Sequence, residues 1–420
     1  MKIDSIITEA VSPYRCRFCN HPLRLTFLDL GLSPLCESYI DPTQMDEPEA
    51  FYPLHSFVCD HCFLVQLPEH VTAQSIFEEY AYFSSYSESW LEHAGNYVEI
   101  MSDRLGLGMR SLVVELASND GYLLQYFKGK GIPVLGIEPA RNIAEVAMGK
   151  GIPTITAFFG SRLARELAAG GQLADLLVGN NVLAHVPDLN DFVRGMKILL
   201  KPGGVFTMEF PHLVRLMEGN QFDTVYHEHF CYFSFTTAER VFVAHGLKLF
   251  DVEELTTHGG SLRIFGCHAE DESHSVSPST GEMKRKEAEW GVSEPERYRE
   301  FTARVETTRR DILRFLIEAK SSGKSVVGYG APGKGNTLLN YCGIRSDLIE
   351  YTVDRNPYKQ GKFTPGTRIP IHSPDRIRTT KPGYLFILPW NLKDEIVAQN
   401  GFIRDWGGRF VVPIPTVQVF

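Results

Sequence analysis

The sequence contains no run of about 18 consecutive apolar residues, the length that a membrane-spanning helix requires. It also lacks any long run of Lys and Arg, and its 42 basic and 51 acidic residues give a formal charge of -9. Such a chain offers no basic stripe for tracking nucleic-acid phosphates. These absences predict a cytoplasmic protein that binds neither a membrane nor nucleic acid, and we expect a monomer.

Three familiar site patterns are missing as well. The turn after the strand SLVVELA reads SNDG and not GxGxxG, which disfavours NAD. The string YHEHF is not HExxH, so a zinc protease site does not apply. The late loop GYGAPGKGN has Gly335 where a P-loop needs Ser or Thr, which disfavours ATP hydrolysis.

The chain is organised in parts. A length of 420 residues suggests two or three domains at roughly 150 residues each. The first 75 residues are rich in Pro, Cys and His, whereas short apolar runs alternate with amphipathic stretches from Ser111 onward and again after a helical stretch at 298–322. This βαβ rhythm predicts doubly wound, largely parallel sheets in an α/β fold. We predict a small module at 1–75, a main domain at 76–297 ending in a polar linker at 269–297, and a smaller Rossmann-like domain at 298–420.

Four of the eight cysteines form two CxxC pairs: Cys16 with Cys19, and Cys59 with Cys62. Two such pairs supply four thiolates to one tetrahedral zinc ion, and a site closed by four protein ligands is structural. The long gap between the pairs leaves replacement of one thiolate open, and the candidates are His21, Cys36, His55 and His61. A redox role is disfavoured because neither pair opens a helix after a strand.

Polar residues at the ends of three predicted strands indicate a cofactor site. SNDG follows the first strand, GIEP ends the second and places Glu138 about 20 residues on, where a carboxylate can accept both ribose hydroxyls, and ADLLVGNN ends the third. Each residue alone could equally be a cap or a core residue, so the ordered set carries the prediction. The candidate cofactor-binding residues are Glu115, Ser118, Asn119, Asp120, Gly121, Glu138, Asn180 and Asn181.

The segments ELASNDG, GIEP and GNNVLAHV occur in the order in which class I S-adenosylmethionine-dependent methyltransferases carry theirs, and the chain resembles that family. The resemblance implies S-adenosylmethionine as the methyl donor. A polar and acidic turn also suits a cationic sulfonium nucleoside better than a diphosphate.

The segment DTVYHEHFCYFS places Tyr226, His227, Glu228 and His229 next to one another after a predicted strand. A solvated loop is the plain interpretation, and an acid/base cluster is the more specific one. In a regular strand Tyr226 and Glu228 would face away from His229. A shared site therefore requires a turn here.

Together with YAYFSSYSESW, NNVLAHVPDL, the CxxC pairs and GYGAPGKGNTLLNYCGI, YHEHF resembles the sugar carbon-methyltransferases that act on nucleotide-activated deoxyhexoses, over nearly the whole chain. The resemblance implies methylation of carbon 3 of an NDP-4-keto-6-deoxy sugar, in deoxysugar biosynthesis. It assigns His229 as general base, Tyr226 and Glu228 as residues that position it or the substrate, and His185 and Tyr82 near the keto oxygen. Tyr80 is the alternative upstream tyrosine.

The late glycine loop is predicted to bind the nucleotide-sugar substrate through Gly330, Lys334 and Asn336, with a purely structural turn as the alternative. Two other functions remain open from the sequence. One is methyl transfer to an oxygen or nitrogen acceptor, and the other is a zinc-ribbon binding module that carries an inactive methyltransferase fold.

Overall fold

The computed structural model describes residues 13–77 and 83–420. The two candidate tyrosines Tyr80 and Tyr82 lie outside these ranges, so their assignment to the site stays a prediction.

The N-terminal module is a small antiparallel sheet with a cysteine knuckle on either side of its first two strands. Its elements are β1 (Leu25–Ser33), β2 (Tyr52–Val58), β3 (Val65–Gln66) and the short helix α1 (Ala73–Phe77). Cys16 and Cys19 precede β1, and Cys59 and Cys62 form the turn between β2 and β3. A residue with positive φ, Phe63 at 62°, closes that turn.

The central domain carries a seven-stranded sheet in the order β10-β11-β8-β7-β4-β5-β6. Its elements are α2 (Glu88–Leu105), β4 (Val113–Leu116), α3 (Leu124–Gly129), β5 (Val134–Ile137), α4 (Arg141–Gly149), β6 (Thr154–Ile155), α5 (Ser161–Ala169), β7 (Ala174–Asn180), α6 (Leu189–Leu199), β8 (Leu200–Pro211), α7 (Leu213–Glu218), β9 (Cys231–Tyr232), α8 (Phe235–Ala244), β10 (Leu247–Leu255), β11 (Ser261–His268) and α9 (Pro278–Trp290). Strands β8, β7, β4, β5 and β6 are parallel, and β11 runs against both of its neighbours. The predicted doubly wound α/β fold is confirmed.

Helix α9 corrects the sequence prediction at one place. The polar stretch 269–297 was predicted as a linker, but 278–290 forms a helix that buries Thr280, Met283 and Glu287. Ser277 caps its first turn by accepting the N–H of Ser279. The helix packs on α8 and β10 and belongs to the central domain's core.

The C-terminal domain has a six-stranded sheet in the order β14-β13-β12-β15-β16-β17, parallel except for the last strand. Its elements are α10 (Pro295–Ser321), β12 (Val326–Tyr329), α11 (Gly333–Cys342), β13 (Thr352–Val353), β14 (Ile371–His372), α12 (Arg376–Thr380), β15 (Tyr384–Ile387), α13 (Lys393–Gln399), β16 (Arg409–Val412) and β17 (Gln418–Val419). Among residues 13–77 and 83–420, no helix is both long enough and apolar enough to cross a membrane.

The N-terminal module, the central domain and the C-terminal domain share an apolar cluster, and the first two also share a sheet. Strand β9, which directly follows YHEHF, pairs antiparallel with β3 of the N-terminal module, Gln66 opposite Cys231. One apolar cluster joins Phe27 of β1, Leu216 of α7 and Leu338 of α11, so it takes residues from all three parts. The loop that carries His229 therefore lies where the N-terminal module, the central sheet and the C-terminal domain meet.

Candidate active site

The carboxyl ends of β4, β5 and β7 lie side by side at one edge of the central sheet. The turn after β4 has positive φ at Ala117 (53°), Asn119 (48°) and Gly121 (75°). A side chain at Gly121 would place its Cβ 2.9 Å from Ile152 Cγ1, so glycine is needed there for packing as well as for its φ. This turn brings the predicted cofactor residues of β4 and the next strand together.

Glu138 is the best-defined of these residues. Its two carboxylate oxygens accept the main-chain N–H groups of Asn119 and Ala140, each at 2.9 Å. Burial raises the pKa of Glu138 to about 7, and the two N–H donors oppose that rise. Since each carboxylate oxygen has a second lone pair, the group keeps its capacity to accept ribose hydroxyls.

Several buried polar atoms at the same edge have no hydrogen-bond partner among residues 13–77 and 83–420. They are Glu115 Oε2, Ser118 Oγ, Asp120 Oδ1, Asn181 Oδ1 and both amide atoms of Asn180. Buried polar groups are almost always satisfied, so this set, which is mostly oxygen acceptors with the Asn180 Nδ2 donor among them, fits a polar ligand that brings donors and positive charge. The hydroxyls, ammonium and sulfonium of S-adenosylmethionine match that requirement.

Ser84 and Ser85, from the segment YAYFSSYSESW ahead of α2, contact this turn. The N–H of Ser84 donates to Asn119 Oδ1 at 2.8 Å, and the hydroxyl of Ser85 donates to the Asp120 carboxylate. Lys150 from the end of α4 also binds Asp120 Oδ2 at 3.0 Å. The sequence analysis did not predict these contacts, because the partners lie about 30 or more residues from Asp120 in sequence.

YHEHF forms a turn, as a shared site requires. The N–H of His229 donates to the carbonyl of Tyr226 at 2.9 Å, and the two rings lie 4.1 Å apart between centroids. His227 instead turns toward the N-terminal module, with Nε2 3.3 Å from the Pro53 carbonyl. The requirement for a turn is confirmed.

The tautomer of His229 follows from its partner. Nδ1 lies 2.9 Å from the carbonyl oxygen of Thr224, which can only accept, so Nδ1 carries the proton and Nε2 keeps its lone pair. Burial, and next the nearby His185, lower the pKa of His229 well below its ordinary value. The imidazole is therefore neutral at pH 7, the form that can accept a proton.

His185, from a 3₁₀ turn after β7, lies against His229. Their ring centroids are 4.8 Å apart in an edge-on arrangement, and burial lowers the pKa of His185 to about 4. The Phe230 N–H donates to the carbonyl of Ala184 at 2.7 Å, which fixes the two loops against each other. Glu228 is buried, and its Oε1 lies 3.5 Å from the Cys36 thiol of the N-terminal module.

Lys334, at the start of α11, reaches the same space from the C-terminal domain. Its Nζ donates to Asn391 Oδ1 at 3.0 Å and lies 4.8 Å from the centre of the Trp390 ring. Its charge helps to lower the pKa of both His229 and His258. Of the substrate-binding candidates in the late loop, Lys334 is the one whose charge acts on the imidazoles of His229 and His258.

The other two late-loop candidates have structural contacts of their own. A Cβ on Gly330 would lie 2.6 Å from Pro389 Cδ, and the φ of Gly330 is 86°. Asn336 is buried, and its Nδ2 donates to the carbonyl of Cys36 at 2.6 Å. Their contact with a nucleotide stays a prediction.

Three residues near the site carried no signal in the sequence. His258, in the loop between β10 and β11, has its Nε2 3.1 Å from Asn181 Nδ2 and its ring 5.2 Å from Trp90. Asp223 is fully buried, and its Oδ2 accepts the indole N–H of Trp390 at 2.8 Å. His258 and Trp390 reach the site through tertiary packing, which local spacing does not reveal, whereas Asp223 precedes His229 on the same loop.

The four cysteines of the CxxC pairs converge, with all of their Sγ atoms within 4.8 Å of one another. The Cys16–Cys62 and Cys19–Cys59 sulfurs are 3.5 and 3.6 Å apart, close to the edge of about 3.8 Å that zinc–sulfur bonds of ~2.3 Å imply for a tetrahedron. The donor set fits zinc, and the predicted four-cysteine site is confirmed. The alternative ligands bind elsewhere: His21 pairs with Asp60 and stacks on His61, His55 bonds Thr26, and Cys36 bonds Glu228.

Comparison with known families agrees with this architecture. Residues 16–77 match a zinc binding domain, residues 97–252 a methyltransferase domain, and residues 256–415 the C-methyltransferase C-terminal domain. The chain is 38% identical over 404 residues to the C-methyltransferase NovU of Streptomyces niveus, covering 96% of each chain.

Solved structures are similar over part of the chain. The PH0226 protein from Pyrococcus horikoshii aligns with a TM-score of 0.37 and 16% identity, covering 44% of this chain and 94% of its own. An S-adenosylmethionine-dependent methyltransferase from Clostridium acetobutylicum aligns with a TM-score of 0.34 and 11% identity, covering 42% of this chain and 91% of its own.

Proposed function

The chain belongs to the C-methyltransferase family and is an S-adenosylmethionine-dependent methyltransferase, and we propose that its acceptor is carbon 3 of an NDP-4-keto-6-deoxy sugar. The observation that carries the proposal is the tautomer of His229, which leaves Nε2 with its lone pair as a base on an imidazole that the charge of Lys334 influences. A carbon acceptor needs such a base because a C–H proton must leave before a new bond can form.

The keto group of such a sugar makes the proton on carbon 3 acidic. His229 Nε2 takes that proton, and the electron pair of the C–H bond remains on the sugar as an enolate. S-adenosylmethionine, when bound, supplies a methyl group on a sulfonium, whose C–S electrons return to sulfur as the new C–C bond forms. The abstracted proton is then on Nε2. The Nδ1–H···O bond to the Thr224 carbonyl stabilises the resulting imidazolium.

The enolate oxygen needs donors that stay protonated. Burial raises the pKa of Tyr226 well above its ordinary value, so its phenol keeps its proton throughout the working pH range. We assign Tyr226, with His185 and Tyr82, to the keto oxygen, and Glu228 to positioning. Lys334 provides positive charge for the sugar-nucleotide phosphates, with Gly330 and Asn336 as further candidate contacts.

Isotope exchange tests the acceptor. With an NDP-4-keto-6-deoxy sugar in heavy water and no methyl donor, we expect the enzyme to replace the hydrogen on carbon 3 by deuterium, read by mass spectrometry. A methyltransferase acting on oxygen or nitrogen has no reason to exchange that hydrogen. Methyl transfer to a sugar hydroxyl or amine without exchange would contradict the proposal.

We expect S-adenosylmethionine affinity to fall as pH is lowered from about 8 to about 6, because Glu138, with a pKa of about 7, must lose its proton to accept two hydroxyls. Below that pKa, binding releases a proton, and affinity drops by up to about tenfold per pH unit. Glu138→Gln should weaken binding and flatten this dependence in calorimetry. Glu145→Gln, on the exposed face of α4, is the matched control; an unchanged pH slope in Glu138→Gln would refute the assignment.

A further inference from the structure

We propose that Asp223 and Trp390 form a positioning pair, through which the C-terminal domain holds the His229 imidazole in its reactive tautomer and orientation. The proposal rests on the proposed role of His229 as base. It gives the C-terminal domain a part in proton transfer in addition to substrate binding.

The pair is a partly buried hydrogen bond between two domains. Trp390, in a 3₁₀ turn ahead of α13, donates its indole N–H to Asp223 Oδ2 at 2.8 Å. Asp223 is 0% exposed, and its Oδ1 has no partner within the part of the chain that the structure describes. A buried carboxylate with so few donors depends strongly on each of them, since leaving such a group unpaired is costly.

Asp223 is the chain neighbour of Thr224, whose carbonyl contacts the His229 base. It lies in the 3₁₀ turn Phe222–Thr224, and the carbonyl of Thr224 accepts the Nδ1–H of His229 at 2.9 Å. In Ser-His-Asp sites a carboxylate fixes the tautomer and direction of the catalytic imidazole. Here a main-chain carbonyl does so, and its direction depends on how the turn is held.

Tyr232 of β9 also donates its hydroxyl to the Thr224 carbonyl, at 3.5 Å, and side-chain contacts hold the turn to other neighbouring elements. Gln221 donates from Nε2 to the carbonyl of Gly259 in the β10–β11 loop at 2.8 Å, and Asp223 is held by Trp390. The attraction between Asp223 and Lys334 acts on the same carboxylate. Without the indole donor, the carboxylate is drawn toward Lys334, and the Thr224 carbonyl moves with the turn.

The test is Trp390→Phe, which keeps an aromatic ring next to Lys334 and removes the N–H donor. Trp406→Phe is the matched control because Trp406 also donates its indole N–H, to the Pro382 carbonyl at 3.0 Å, elsewhere in the same domain. We expect Trp390→Phe to lower kcat and the carbon-3 exchange rate by at least about tenfold, a part of what a general base contributes. KM for the sugar nucleotide and cofactor affinity should change little, and Trp406→Phe should match the unmodified enzyme.

A second pair of variants distinguishes loss of the Asp223–Trp390 contact from misfolding of the protein. Asp223→Asn keeps an amide oxygen that can accept from Trp390 and should retain more exchange activity than Asp223→Ala. Equal kcat in Trp390→Phe and Trp406→Phe, or a change confined to KM, would overturn the positioning role. If the unmodified enzyme shows no exchange at all, the proposed function fails with it; exchange that is insensitive to Trp390 removes only this inference.

Discussion

Replacing His229 by alanine should lower methyl transfer by a factor of about 10² to 10⁴ and leave cofactor affinity intact. The imidazole is the group placed to take the substrate proton, and general bases contribute rate factors of roughly 10² to 10⁴. His229 lies on the loop after α7, whereas the cofactor edge is formed by β4, β5 and β7. Labelled methyl transfer read by mass spectrometry should fall by about that factor, while calorimetry with S-adenosylmethionine should give an unchanged Kd.

His245→Ala is the control for this variant. His245 resembles His229 in that its Nδ1 contacts a main-chain carbonyl, that of Val241, at 2.8 Å. His245 differs in its position, because it caps the end of α8 outside the site. Its loss should leave turnover near that of the unmodified enzyme. Normal turnover by His229→Ala would show that another group removes the proton.

Cys59→Ser should destroy the metal site and impair folding, with chemistry lost only as a consequence. Serine cannot replace a thiolate in a four-sulfur site, and structural zinc supplies about 10–16 kcal/mol of apparent folding free energy in small zinc modules. Cys59 is fully buried and begins the turn that leads into β3. Metal analysis should show loss of zinc, and denaturant unfolding should show a loss of several kcal/mol.

Cys267→Ser separates the metal effect from the cost of a buried hydroxyl. Cys267 is also fully buried, on β11, far in sequence from either CxxC pair. We expect this variant to keep its zinc and to lose only about 1–3 kcal/mol of stability. If Cys59→Ser retained zinc and matched Cys267→Ser in stability, the four-thiolate assignment would be untenable.

The sequence predicts the elements whose apolar pattern is strong. Strand β4 is buried along its whole length and is readable as an apolar run. Helix α9 is missed because an acidic residue occupies its inward face: Glu287 accepts main-chain N–H groups of Phe235 and Thr236 at the start of α8, at 2.6 and 2.8 Å. A carboxylate that stabilises a helix N-terminus hides the periodicity that identifies a buried face.

The residues of the candidate site also fall into two groups, those whose position the sequence predicts and those that it misses. The sequence predicts the position of Glu138, directly after β5, and of Asn180, at the end of β7, because parallel strands end at one sheet edge. His258 lies in the loop between β10 and β11 and contacts Asn181, and Trp390 contacts Asp223 on the His229 loop from another domain. Their placement depends on how the domains pack, and no spacing rule within one segment encodes that.

The pairing of β3 with β9 has a consequence for synthesis on the ribosome. Val65 and Gln66 meet partners at 232 and 231, so at 5–20 residues per second roughly 10–30 s separate their emergence. During that interval the edge of the N-terminal sheet is open to pairing with other chains. The nascent module is therefore most exposed to aggregation before its partner strand is made, and zinc bound early would limit the time it spends unfolded.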